Sequence, residues 1–131
     1  MSEQKPSADQ WLQEAKADPS AAECGMYLIH NGTVRQTAKA AVRQGKQDTE
    51  PVKGMYFDYD EEKVQRAIAA ARCLPGIKYV RVWLNRGELT LGDDIMFVLI
   101  GGDIRPHVVD ALQSLVGTLK EQCVVEREKF I

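Results

Sequence analysis

Apolar and polar positions follow two rhythms along this chain, and the points where the rhythm changes mark its elements. Residues Ala8 to Ala17 bring Trp11, Leu12 and Ala15 to one face at helical spacing, and Asp18-Pro19-Ser20 stops the pattern. Gly25 to Asn31 (GMYLIHN) reads as a strand, and Val52 to Tyr59 alternates like one. The polar stretch 36–51 between them, with Lys39, Arg43 and Lys46, has the composition of a flexible loop of the length often used for function. Asp60 is placed to cap a helix with Glu61, Glu62 and Lys63 in its first turn. Val64, Ala67, Ile68 and Ala71 give that helix an apolar stripe, and Pro75-Gly76 ends it.

Further strands are predicted at Ile77 to Leu84, Gly87 to Leu91 and Ile95 to Ile100. Gly101-Gly102 then leads into a second long helix, with Asp103 as its N-cap and Pro106 in its first turn. Val108, Leu112, Leu115, Val116 and Leu119 form its buried face, and an extended piece runs from Val124 to Ile131. The order predicts an α+β fold: a mostly antiparallel sheet, two long helices able to cover one face, and a short N-terminal helix. Pattern alone would fit a ferredoxin-like sandwich, a fold that hosts many unrelated activities. The length of 131 residues suggests one domain spanning 1–131.

Composition narrows the function classes. A formal charge of -2 lacks the basic excess of a general nucleic-acid binder. No apolar run is long enough to span a bilayer, so no membrane role is expected. The polar start, Met1 to Asp9, has no signal-peptide core, which makes the cytoplasm the expected location. Cys24, Cys73 and Cys123 show neither CxxC nor zinc spacing and are expected to be buried free thiols, with Cys123 closest to the candidate chemistry. His30 and His107 have no neighbour at metal-ligand spacing, so no metal site is expected.

Candidate chemistry lies with the cations. Gly101-Gly102 ahead of a helix start, with Arg105 in the first turn, can make an anion site from free amides and a guanidinium. The plain alternative is a tight strand-to-helix turn and a solvated arginine. Arg35 closes a strand segment, Lys120 closes the second long helix, and Arg127 and Lys129 lie on the last extended piece. Each has an ordinary reading too: surface charge, a dipole-favoured lysine, a charged edge strand. His30 sits among apolar strand residues and reads as a packed imidazole; Asp93 and Asp94 read as turn residues.

Taken in order, several segments resemble one family. Gly32-Thr33-Val34-Arg35, Met55 to Asp60 with Val64, Gly87-Glu88-Leu89, Gly92 to Val98 and Leu119-Lys120 are similar to the motifs of molybdopterin synthase large subunits, from about Trp11 to Phe130. The resemblance implies an α/β-hammerhead fold. It implies sulfur transfer to cyclic pyranopterin monophosphate from a small ubiquitin-like carrier with a C-terminal Gly-Gly thiocarboxylate, which makes the molybdopterin dithiolene with no further cofactor. It implies a homodimer, joined by carriers into a heterotetramer. Lys120 matches the lysine at the end of the family's long helix, and Arg127 matches its second lysine by ungapped count, with Lys129 two residues on. Both Lys120 and Arg127 are therefore expected to be catalytic. Arg35, Arg105, His30 and Lys129 are expected to bind substrate, and clustered Arg35, Arg105 and Arg127 would favour a neutral Lys120. Ile104 and His30 stand where the family has a histidine and an aromatic residue. Ile104 and Arg127 motivate a second reading, a non-catalytic paralogue that binds the carrier or a pterin.

Overall fold

A computed structural model describes residues 5–39, 45 and 51–130. Helix α1 (Ala8–Ala17) starts at Ser7, whose side chain accepts from the Gln10 amide. A short 3-10 turn over Pro19–Glu23 leads into β1 (Met26–Thr33). Then follow β2 (Val52–Tyr59), α2 (Glu61–Arg72), β3 (Ile77–Leu84), β4 (Gly87–Thr90), β5 (Asp94–Gly102), α3 (Arg105–Thr118) and β6 (Val124–Phe130). The predicted element order holds. Much of the predicted 36–51 loop, with Arg43 and Lys46, lies outside the described residues.

The strands form two three-stranded antiparallel sheets rather than one: β1-β5-β3 and β4-β2-β6. This is an α/β-hammerhead arrangement. The central strand β5 explains its unbroken apolar run. Successive side chains of a strand point to opposite faces. Met96, Val98 and Ile100 enter the main core with α2 and α3, while Phe97 and Leu99 enter a second core under α1. Trp11 and Trp83 meet Phe97 edge-on there, at 6.2 and 5.9 Å between ring centroids. With helices on both faces, β5 has no polar side to show.

Helix α2 buries the four residues of its stripe, and Asp60 accepts from the Lys63 amide at 3.1 Å. Helix α3 buries Val108, Ala111 and Leu115, with Leu112 and Val116 half-buried against the core. Its N-cap is Ile104, not Asp103, and it has no side-chain cap bond. Asp103 instead sits one residue earlier, where its Oδ1 accepts from the Ile104 amide at 2.6 Å and meets His107 Nδ1 at 2.8 Å.

Gly101 and Gly102 belong to β5, and their missing side chains serve packing. A Cβ on Gly101 would fall 2.6 Å from the Tyr27 ring, and one on Gly102 would fall 2.7 Å from the Gly76 carbonyl oxygen. Their close approach is to the chain itself. The thiols also differ from expectation: Cys123 is buried, Cys24 is half-buried, and Cys73, at the C-cap of α2, is exposed.

Candidate active site

Helix α3 does not end cleanly. Leu119–Cys123 forms a widened π-type turn before β6. Such turns are uncommon and recur at functional sites. Leu119 and Cys123 are buried at 0 % and 5 % exposure and pin the turn at both ends, leaving Lys120 on the outside. Burial raises the Cys123 thiol pKa, so it stays protonated at neutral pH and is no nucleophile.

Lys120 opens onto a cavity of about 220 Å³ whose wall also carries His30 and Arg35. His30 points in from β1, half-buried. Burial, and then the charge of Lys120, hold its imidazole pKa below the ordinary value, so it is neutral at neutral pH. Arg35 is aimed by its neighbour. Val34 is 3 % exposed, donates its amide to Asp93 O at 3.0 Å and accepts from the Gly92 amide at 2.8 Å. That clasp fixes where the chain leaves β1 and turns Arg35 to the cavity. Three of the sequence-predicted residues therefore meet: His30, Arg35 and Lys120.

Lys39, Glu126 and Glu128 complete the charged wall. Lys39 Nζ lies 2.6 Å from Glu126 Oε2, and the Lys39 amide donates to Glu128 Oε2 at 3.0 Å. The two glutamates were not singled out from sequence. The signal was available in the strand period: Glu126 and Glu128 share the parity of Val124, which packs inward.

The same period sends Arg127 and Lys129 to the opposite face of β6. Arg127 lies over the Tyr56 ring at 5.9 Å, and Lys129 Nζ meets Glu88 Oε1 at 2.6 Å. Both line a separate shallow hollow with Asp58 and Val125. Arg105 is at the far end of α3 from Lys120, and a helix of 14 residues spans about 21 Å. One chain thus does not cluster Arg35, Arg105 and Arg127 around Lys120. A larger cavity, about 310 Å³ beside α2, holds one cation, Arg86, which is engaged by Asp58 and by the Tyr59 ring and carbonyl. Among the described residues no group of His, Cys, Asp and Glu could hold a metal, and no helix is long and apolar enough to cross a membrane.

The model of one protein family, described as MoaE protein, matches residues 1–122. The chain belongs to the MoaE family. The family works in molybdenum cofactor biosynthesis, and this chain carries its fold. Solved structures agree. Molybdopterin synthase from Staphylococcus aureus superposes with a TM-score of 0.75 at 14% identity, covering 99% of this chain and 89% of that one. The MoaE protein of Burkholderia ambifaria MC40-6 gives 0.70 at 18% identity, covering 96% and 84%. A complex of subunits 1 and 2 of the molybdopterin-converting factor of Helicobacter pylori 26695 gives 0.63 at 14% identity, covering 95% and 84%. At such identities the likeness concerns the fold. No curated protein matches the chain.

Proposed function

We propose that this MoaE-family chain is an active large subunit of molybdopterin synthase, transferring sulfur in the cytoplasm from a small carrier's C-terminal thiocarboxylate to cyclic pyranopterin monophosphate. The observation that carries this reading is the cavity where Lys120, Arg35 and a neutral His30 converge. Lys120 is the central group, as the ammonium that polarises the thiocarboxylate or as the acid and base of the transfer. Arg35 offers a planar, permanently charged fork suited to phosphate. The two-subunit complex of the Helicobacter pylori relative supports a carrier partner of the same kind.

Arg105 matches a substrate-binding arginine of the family, yet it stands about one helix length from Lys120 of its own chain. Both facts are accommodated by a homodimer in which Arg105 of one copy serves the cavity of the other. The deciding experiment is incubation of the protein with a thiocarboxylated carrier and the pterin precursor, followed by detection of the dithiolene product. Product formation at a rate that depends on Lys120 is expected. A second reading is a binding paralogue without turnover. It is favoured by Glu126 on the cavity wall and by Ile104, 52% exposed, where the family has a histidine. Carrier binding with no dithiolene formed would select it.

A further inference from the structure

The inward-facing charges of β6 are acidic, which is unusual next to a core. In the β2–β6 ladder Glu126 lies opposite Phe57 and Glu128 opposite Met55, and those partners are 0 % and 6 % exposed. A carboxylate drawn out of water there is destabilising unless a cation or donor meets it. Lys39 meets both: its ammonium reaches Glu126, whose side chain is 9 % exposed, and its amide reaches Glu128. Ala38, the residue just before Lys39, is buried at 2% exposure. Lys39 is held at two points, with its Nζ on the wall it shares with Lys120.

An ammonium carries three donors, so one glutamate oxygen leaves capacity for a second anion. The cavity decides which anion fits. At about 220 Å³ it is below the ~300–1,000 Å³ of ordinary small-molecule sites. A fused-ring pterin phosphate held by Arg35 extends beyond its open mouth. An extended pair of glycines, with no side chains and a length of about 7 Å, does not. We infer that Lys39 is the second cation of the Lys120 cavity, positioned by Glu126, and that it receives the terminal carboxylate or thiocarboxylate of the carrier's Gly-Gly tail. The inference rests on the proposed function in taking a carrier tail as the occupant. It replaces Arg127 and Lys129, which face away, with a residue from the chain that follows β1.

The test uses the full chain and two synthetic peptides ending in Gly-Gly, one as the free acid and one as the C-terminal amide, titrated by NMR so that weak binding is measured. Wild type should bind the acid more tightly than the amide. Lys39→Met should weaken the acid about tenfold and leave the amide unchanged, since a hydrogen bond to a charged group is lost in one case only. Lys39→Glu combined with Glu126→Lys places an ammonium at the same point from the opposite wall, and should restore most of the preference. Glu126→Gln, which keeps the side chain's shape, should weaken acid binding less than Lys39→Met. Lys39→Met leaves Glu126 without its cation and should lower the thermal midpoint, whereas the charge swap and Glu126→Gln should stay closer to wild type; binding is therefore compared well below every midpoint. Lys39→Met binding the acid as well as wild type does would overturn the Lys39 assignment while leaving the tail in the cavity. Wild type binding neither peptide, or both equally, would overturn the assignment and the carrier-tail reading together.

Discussion

The two ends of α3 make opposite use of the same helix. Its N-terminus, preceded by two glycines and followed by Arg105, has the local chemistry of an anion site. The fold fills that site from within: Asp103 takes the Ile104 amide and contacts His107, and its own amide donates to Gly76 O at 2.9 Å. The C-terminal end has the local chemistry of a plain helix stop, where the dipole favours any lysine. There the fold opens a cavity and gathers Lys120, Arg35, Lys39 and His30 onto it. A helix end states what charge it needs. Only the tertiary structure states whether the chain supplies that charge or leaves room for a ligand.

The contrast is sharpest in activity. Lys120→Ala should lower sulfur transfer by about 10²–10⁴-fold, as loss of an acid-base group does, with the thermal midpoint nearly unchanged. Retained turnover would dissolve the distinction between the two ends. A mixing experiment joins them. If Arg105 acts across a dimer, Lys120→Ala and Arg105→Ala chains are each defective alone. Refolded together, half the dimers are mixed, each with one intact cavity, and about a quarter of wild-type activity returns. Light scattering that finds a monomer at micromolar concentration, or no recovery on mixing, removes the cross-subunit role.

Smaller effects separate packing from binding. Gly102→Ala should destabilise the fold by about 1–3 kcal/mol in urea unfolding, because its Cβ would press on Gly76 O and Val108. Arg35→Ala, by contrast, should leave unfolding unchanged and weaken pterin binding in a calorimetric titration. The smallest effect is a pH slope. An unfolded His30 takes a proton near pH 6.5, and the folded one only at lower pH. Stability should therefore be constant above about pH 6.5 and fall as pH drops toward the folded pKa, where the loss levels off. His30→Gln should flatten that part of the urea-midpoint profile, and an unchanged slope would place His30 in water.

Much of the fold was legible in the chain because its rules are local. The stripe Val64, Ala67, Ile68, Ala71 and the cap Asp60 specify α2 unaided. The division into two sheets was not legible, since strand pairing joins residues far apart in sequence: β5 pairs with β1 and β3, and β2 with β4 and β6. Within the site, His30, Arg35 and Lys120 were identified by type and by resemblance, and they share a wall. Arg127 and Lys129 were counted along the chain, and counting ignores which face a strand residue takes. Lys39 stood out only as part of a polar loop, and the glutamates escaped notice, for a related reason. A polar loop and a charged last strand look unremarkable until Lys39 and Glu126, 87 positions apart, are seen at 2.6 Å.

The parity of β6 makes the site sensitive to chain length as well as to composition. Adding or removing one residue between Cys123 and Glu126 would invert the strand, because its side-chain period is two. Arg127 and Lys129 would then enter the cavity, Glu126 and Glu128 would face solvent, and Lys39 would lose both anchors. Such an insertion or deletion leaves every charged side chain of β6 in place, yet it exchanges an acidic wall for a basic one. In this chain, a gap of one residue after the π turn would thus reverse the charge of the cavity wall.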